Sequence, residues 1–458
     1  MITKLSAKNF KCWKDTGAVR LAPITGLFGT NSSGKTSFMQ LLLLLKQTTE
    51  SPDRSLVLNF GDERSLVELG VYRDLVFKHE TPEVLQLGLS WTFQKPLEIE
   101  DPEEPGRLLF EGSDADFEVR LVENGAGRVL VSQLAYTFAG HQLGMRRDPK
   151  GAGYALFADP SASHQAFEFK RSVGRPPSKL PAPVRCYGFP DQVRASFQNA
   201  GFLSDLELAF ERLFASVHYL GPLRDYPKRQ YTWAGAQPRD MGQRGEKVVD
   251  ALLASRPQKT ISPGKYRPKV TVEARVAQWL RDLRLIDQFS VEPVAEGSNL
   301  YNVWVRTTRG STKVLLTDVG FGVSQILPVL TLCYYVPEGS TILMEQPEIH
   351  LHPSVQAGLA DVFIDAIKTR HIQIIVESHS EHLLRRLQRR IAEEDLSSDD
   401  AALYFFEVAE SRSGLVPLQL DRFGVIRNWP EGFFGDEYDD LAAITRAKAR
   451  RLEGEKLG

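Results

Sequence analysis

The chain has 458 residues, 42% of them hydrophobic and 25% charged, a length and composition that suit two or three globular domains with substantial cores. Its formal net charge of -2 excludes the global signature of a nucleic-acid-binding protein and leaves only local basic patches open. Three widely separated cysteines, Cys12, Cys186 and Cys333, exclude a disulfide framework; with no signal-peptide core and no apolar run of membrane length, they predict a cytoplasmic protein without a membrane partner.

In chain order, Ile2 to Phe10 alternates as a strand does, and Ile24 to Phe28 is a short apolar run that ends in a Gly-rich loop. Ser37 to Lys46 then reads as a buried helix. From Glu83 to Lys170 short alternating segments predict a β-rich subdomain, among them Val84–Leu89, Phe117–Leu121 and Val129–Val131, with Glu100–Gly106 as a turn. Arg171 to Pro183 is rich in Pro, Ser and basic residues and reads as a linker. Helical patterns follow at Leu203–Phe214 and Val272–Leu285, and strands at Asn302–Val305 and Thr312–Leu316. A strand at Thr341–Met344, a helix from Pro353 and a strand at Ile372–Val376 make a strand–helix–strand unit of the parallel-sheet kind. No repeat of solenoid period is present.

Between the second strand and the first helix lies Gly29-Thr30-Asn31-Ser32-Ser33-Gly34-Lys35-Thr36, which meets G-x-x-x-x-G-K-[ST] at every fixed position. Glycines let successive N–H groups converge on phosphate oxygens, and the helix that follows adds its positive end. Lys35 is placed to reach the β- and γ-phosphates of ATP, and the Thr36 hydroxyl to bind Mg²⁺.

The apolar strand that ends Met344-Glu345-Gln346-Pro347-Glu348 suits a Walker B element, in which a strand-end carboxylate holds Mg²⁺, usually through water. Glu345 takes that role. Further on, Ile374-Ile375-Val376-Glu377-Ser378-His379-Ser380 is a second buried strand that ends in a histidine. Such a histidine can hydrogen-bond a γ-phosphate or the attacking water.

Asn9-Phe10-Lys11, the Gly29–Thr36 loop, Glu345-Gln346-Pro347-Glu348 with Leu351-His352-Pro353, and Glu377-Ser378-His379-Ser380 together resemble the ABC/SMC-like, AAA-labelled ATPases. That group includes the ATPase part of the OLD-family proteins and several bacterial phage-defence ATPases. The resemblance implies an α/β fold in which a P-loop ABC-type ATPase head is built from both ends of the chain, with a β-rich inserted subdomain and a short C-terminal domain. The corresponding divisions are 1–80 for the N-terminal part of the head, 81–214 for the insert and linker, 215–390 for the rest of the head, and 391–458 for the small C-terminal domain.

The resemblance also implies a homodimer, or a higher oligomer, in which ATP is sandwiched between the P-loop of one head and a signature segment of the other. Asp318 to Gln325 is the candidate segment. Gly320 stands where the usual serine is expected, so backbone contacts at Gly320 and Gly322 substitute for it, or Ser324 contributes. Gln346 stands where these ATPases place a catalytic glutamate. Gln346 positions water, or Glu348 is the base, or hydrolysis is slow and ATP serves to glue the dimer.

Arg224 and Arg244 are candidates to approach phosphate or to form surface ion pairs. Arg385, Arg386, Arg389 and Arg390 form a patch for nucleic acid or a solvated helix face. The tail, with Asp436–Asp440 and a basic helix, resembles a C-terminal domain of unknown function, and the 79 residues after His379 are too few for the Toprim nuclease of OLD proteins. The functional expectation is an ATP-hydrolysing switch or sensor in anti-phage defence with a separate effector protein. A DNA-repair or recombination ATPase that binds duplex DNA and an ATP-stabilised scaffold are the alternatives.

Overall fold

The computed structural model of the chain describes residues 1–80, 84–102, 104, 106–149, 153–160, 167–172, 179–258, 261–262, 268–409, 412–430, 433 and 443–448. Residues 173–178 of the expected linker at Arg171–Pro183, and the acidic cluster at 436–440, lie outside the described residues.

The first elements are β1 (Ile2–Phe10), β2 (Trp13–Asp15), β3 (Val19–Arg20), β4 (Ile24–Gly29), α1 (Lys35–Glu50) and α2 (Tyr72–Leu75). Five strands follow: β5 (Leu85–Glu100), β6 (Leu108–Glu123), β7 (Val129–Phe138), β8 (His141–Arg147) and β9 (Tyr154–Pro160). The middle of the chain holds α3 (Gln192–Ser196), α4 (Leu203–Ala215), β10 (Val217–Leu220), β11 (Tyr231–Thr232), α5 (Val248–Ala254) and α6 (Val272–Asp282). Next come β12 (Gln288–Pro293), β13 (Leu300–Arg306), β14 (Val314–Leu315), α7 (Phe321–Tyr335) and β15 (Thr341–Glu345). The last are α8 (Pro353–Arg370), β16 (Gln373–Glu377), α9 (Glu381–Ala392), β17 (Ala401–Ala409) and β18 (Arg412–Pro417).

Three sheets organise these elements. The central one has six strands in the order β10-β15-β16-β4-β17-β18. Every pairing in it is parallel except β17 with β18. Its strands are apolar on both faces, as expected where helices or a second layer cover each side. Leu27, Leu343, Ile375 and Phe406 face one core, while Ile24, Phe28, Ile342, Met344, Ile374 and Val376 face the other. That alternation is the two-residue period of a strand made visible.

The first core is closed by an eight-stranded antiparallel sheet, β2-β1-β5-β6-β7-β8-β9 with β3 on β1. Helix α1 belongs to this core, and its run Leu41 to Leu45 is buried on every side, which explains why the run shows no amphipathic stripe. The second core is closed by α5 to α9 and by a four-stranded sheet built on β13.

The strands of the antiparallel sheet are longer than their sequence patterns suggest: β5 and β6 each run 16 residues. Pairing with a neighbour carries them through charged positions such as Asp114 and Asp116, which sit opposite Thr92 and Ser90. Helix α6 stops short of Leu285, because Arg284 takes a left-handed backbone (φ 57°) and the Leu285 N–H turns back to the Leu280 carbonyl. The expected strand–helix–strand unit is β15–α8–β16, with its two strands paired in parallel.

Candidate functional site

Strand order in the central sheet puts β4 beside β16 and β16 beside β15. The carboxyl ends of these strands therefore open onto one crevice, where ligands of open parallel sheets bind. Each end carries one of the expected elements.

The loop after β4 turns on glycines for two distinct reasons. Gly29 has φ 136°, and a Cβ there would come within 2.1 Å of the Phe406 carbonyl oxygen. Gly34, at the N-cap of α1, has φ 101°, and its Cβ would press on Cys12, Trp13 and Ser413 at 2.9 Å. Between them Ser32 adopts φ 60°, and the Ser33 hydroxyl donates to the Thr30 carbonyl at 2.8 Å. Asn31 and Ser32 stay exposed.

Lys35 is buried, and its ammonium folds back onto the loop, donating to the Gly29 carbonyl at 3.1 Å and the Thr30 carbonyl at 2.7 Å. Burial lowers its pKa, against the pull of Glu377. The Thr36 hydroxyl is bracketed by both oxygens of Glu377, at 3.2 and 3.0 Å.

Glu345 and Glu377 end adjacent parallel strands as register partners. Both are buried. The Glu345 Oε1 accepts from the Tyr219 hydroxyl at 2.8 Å, while burial raises its pKa. Glu377 is pushed up to about 7, first by burial and then by repulsion from Glu345. Gln346 follows in a left-handed conformation (φ 43°), its N–H bound to the Glu377 carbonyl at 2.8 Å; strain of this kind at a non-glycine residue concentrates at functional sites.

Glu348 is buried two residues further on, and its Oε1 accepts from the His379 N–H at 2.7 Å. Burial raises its pKa despite the Ser378 hydroxyl and the His379 amide. The His379 ring is exposed, and partial desolvation and the charge of Lys35 lower its pKa. A neutral imidazole at the mouth of the crevice can accept a proton or a hydrogen bond. The P-loop, Glu345, Gln346, Glu348 and His379 are thus brought together.

The signature candidate stands apart from these. Gly320 is the exposed N-cap of α7, with open space where a Cβ would be, and Gly322 is in the first turn. Ser324 is buried, and its hydroxyl donates to the Phe321 carbonyl at 2.7 Å, so of the three expected contacts only the backbone at Gly320 and Gly322 faces outward.

Two residues of the crevice were not fixed by the sequence: Arg224 was left open between phosphate and a surface ion pair, and Glu377 was not singled out as a site residue. Arg224 is buried, and one guanidinium nitrogen lies 3.4 Å from the Glu345 carbonyl. Its Nε and Nη1 have no hydrogen-bond partner among the described residues. Burial lowers its pKa to about 10, opposed by Tyr219, Glu348 and Glu345. The other is Glu377; its only prior sign was its place just before Ser378-His379, at the end of an otherwise apolar strand. Arg244, by contrast, is exposed.

The donor set fits a nucleotide with its cation. A glycine loop, the N-terminus of a 16-residue helix and a lysine suit phosphates, and the Thr36 hydroxyl with carboxylates Glu377 and Glu345 supplies the hard oxygens that Mg²⁺ takes. Among the described residues no cluster of three or more His, Cys, Asp or Glu could hold a metal ion. No helix among the described residues is long and apolar enough to cross a membrane.

The AAA ATPase domain family matches residues 1–87 and 267–384, and a family described as a protein of unknown function (DUF3696) matches residues 396–444. No curated protein matches the sequence. Among solved structures, the chain is similar to an Smc head bound to the C-winged helix domain of ScpA, at 11% identity over 92% of this chain and 98% of that one, with a TM-score of 0.48. It is similar to the SMC head domain from Thermotoga maritima at 11% identity, 91% and 99% coverage and a TM-score of 0.40. A third is an Smc head domain with an extended coiled coil bound to the C-terminal domain of ScpA from Pyrococcus furiosus, at 9% identity, 91% and 96% coverage and a TM-score of 0.45.

Proposed function

On the premise that both ends of the chain build an ABC/SMC-like AAA ATPase head, we propose that the protein binds Mg²⁺-ATP at Gly29–Thr36 and hydrolyses it slowly as a head-to-head homodimer. The convergence of Lys35, Thr36, Glu345, Glu348 and His379 on one crevice carries this reading. When ATP is bound, Lys35 exchanges its two loop carbonyls for phosphate oxygens. Thr36, with Glu345 close by, would hold Mg²⁺, whose charge would offset that of the phosphates. Glu348, fixed through the His379 amide, takes the proton of the attacking water, and Gln346 orients that water.

The dimer is supported by an exposed apolar patch beside the signature segment. Leu223 is 67% and Tyr226 74% exposed, and the Phe321 ring lies 5.7 Å from that of Tyr226 and 5.2 Å from that of His350. Such a patch marks an interaction surface. In the biological setting that the resemblance implies, the closed dimer acts as a switch for a separate effector in anti-phage defence.

ATP affinity, turnover and dimer mass of the wild type, Lys35→Ala, Gln346→Ala and Glu348→Gln, with and without duplex DNA, test the proposal. Lys35→Ala is expected to abolish ATP binding and ATP-induced dimerisation. Normal binding and turnover by that variant would sink it. Glu348→Gln should trap the dimer; a silent Glu348→Gln beside a dead Gln346→Ala would move the water-handling role to Gln346.

A further inference from the structure

Glu377 is an odd residue to find where it stands. Strand β16 is buried along its length, and its last side chain is a carboxylate that is only 4% exposed. Strand order puts it between two parts of the nucleotide site: Glu377 is the register partner of Leu27 on β4, just before the P-loop, and of Glu345 on β15. A buried carboxylate usually has a cation to pair with. Among the described residues Glu377 has none within ion-pairing distance, and its side-chain hydrogen bonds there come from the Thr36 hydroxyl alone. Lys35, the nearest source of positive charge, spends its donors on Gly29 and Thr30.

Charge around the crevice is therefore unbalanced before any ligand arrives. Lys35 and Arg224 face Glu345, Glu348 and Glu377, three buried acids, and the charges of Glu345 and Glu348 add to burial in raising the pKa of Glu377. Triphosphate alone would add like charge to this set, and like charges in a buried site repel strongly. A divalent cation at Thr36 removes the conflict. There it meets a hydroxyl and a carboxylate whose oxygens already lie 3.0–3.2 Å apart, hard donors of the kind Mg²⁺ accepts alongside phosphate and water.

We propose that Glu377 is a ligand, directly or through one water, of the cation held at Thr36, and that its charge makes nucleotide binding conditional on that cation. The proposal deepens the nucleotide-site reading above and rests on it. A merely structural Glu377 would steady Thr36 and the loop, and a glutamine would serve as well, since its amide oxygen can accept the same hydroxyl.

The test measures equilibrium binding of ATP with Mg²⁺ and with EDTA, and binding of Mn²⁺ to the nucleotide complex by electron paramagnetic resonance. Wild type, Glu377→Gln and Glu377→Asp are compared, and thermal melts report folding. In Glu377→Gln, Mn²⁺ affinity is expected to fall roughly 10–100-fold, while ATP binding in EDTA strengthens several-fold. Glu377→Asp keeps the charge but withdraws it by one methylene; it should lose Mn²⁺ affinity without gaining affinity for metal-free ATP, and it carries the decision if the glutamine variant does not fold. Unchanged Mn²⁺ affinity in the folded variant would overturn the proposal. Lys35→Ala separates this from the parent reading: if it binds ATP normally the nucleotide site itself is misplaced, whereas a dead Lys35→Ala beside a silent Glu377→Gln rejects only the role of Glu377.

Discussion

The two sheets that share helix α1 are stabilised in opposite ways. In the antiparallel sheet, buried aromatic rings meet one another: Phe210 on α4 lies 4.6 Å from Phe117, 4.9 Å from Tyr187 and Phe214, and 6.1 Å from Trp91. In the parallel sheet the strand ends gather buried acids and an arginine with idle donors. The first region is organised for packing, and the second holds groups that cost stability until a ligand answers them. Neighbouring layers of one molecule can thus be read for different purposes, one for its contacts and the other for what its contacts leave unmet.

The sharpest way to break this contrast is to substitute the centre of each region. Phe210→Ala removes a fully buried ring and is expected to cost about 3–5 kcal/mol, read as a lower urea midpoint with ATP affinity per folded molecule unchanged. Glu348→Gln should do the reverse. It replaces a carboxylate whose pKa is raised by burial with a neutral amide that keeps the His379 bond, and Ser378 offers an acceptor for the new N–H₂. At pH 8 a gain of roughly 0.5–2 kcal/mol should accompany a fall in turnover of about 100-fold or more. The gain should shrink as pH falls toward the unfolded value of 4.5 and vanish below it, where the glutamate is protonated in both states. Loss of stability at pH 8 would show that Glu348 is as well satisfied as any core residue.

Sequence legibility divides along the same line. The P-loop was readable because eight consecutive residues carry it, and α1 because a run of leucines behind a Gly-Lys-Thr has few other fates. The Thr341–Glu345 and Gln373–Glu377 strands were readable as apolar runs, and their pairing followed from the helix between them. Glu377 was not readable as a site residue. Its meaning depends on a hydrogen bond to a threonine 341 residues away, which only the adjacency of β4 and β16 creates. Arg224 was ambiguous for the same reason: a motif fixes its place in the chain, while burial against Glu345 depends on where β10 pairs. Ser324 shows the converse, since a hydroxyl in a plausible motif is spent inside its own helix.

The packed region also holds a half-buried acid, and Glu207 tests how far the contrast extends. Its Oε1 accepts the Phe189 N–H at 2.7 Å, and burial pushes its pKa from 4.5 up to about 7. A folded pKa above the unfolded one means that its stabilising contribution is complete below about 4.5 and is lost as pH rises through 7. Wild-type stability should therefore decline across that window, and Glu207→Gln should flatten the decline. Denaturation midpoints at pH 5, 6, 7 and 8 measure it, and identical slopes for both proteins would place the pH dependence elsewhere.

The smallest expected effect is at α9, where the basic face belongs to neither region. Arg386 and Arg390 both bind Asp361, Arg389 pairs with Glu393, and Arg385 pairs with Glu381 and stacks 4.3 Å over the Trp429 ring. Each guanidinium already has a carboxylate, so the face offers phosphate little unspent charge. Arg385→Ala gives up one exposed pair and one stacking contact, together about 0.5–1 kcal/mol, and should leave duplex DNA binding unaltered at any salt concentration. A drop in DNA affinity with a shallower salt dependence would mean that these carboxylates release their arginines to phosphate, and would revive the DNA-binding reading. The ring of Trp429 gives an independent readout, because its fluorescence should shift in Arg385→Ala whether or not DNA binds.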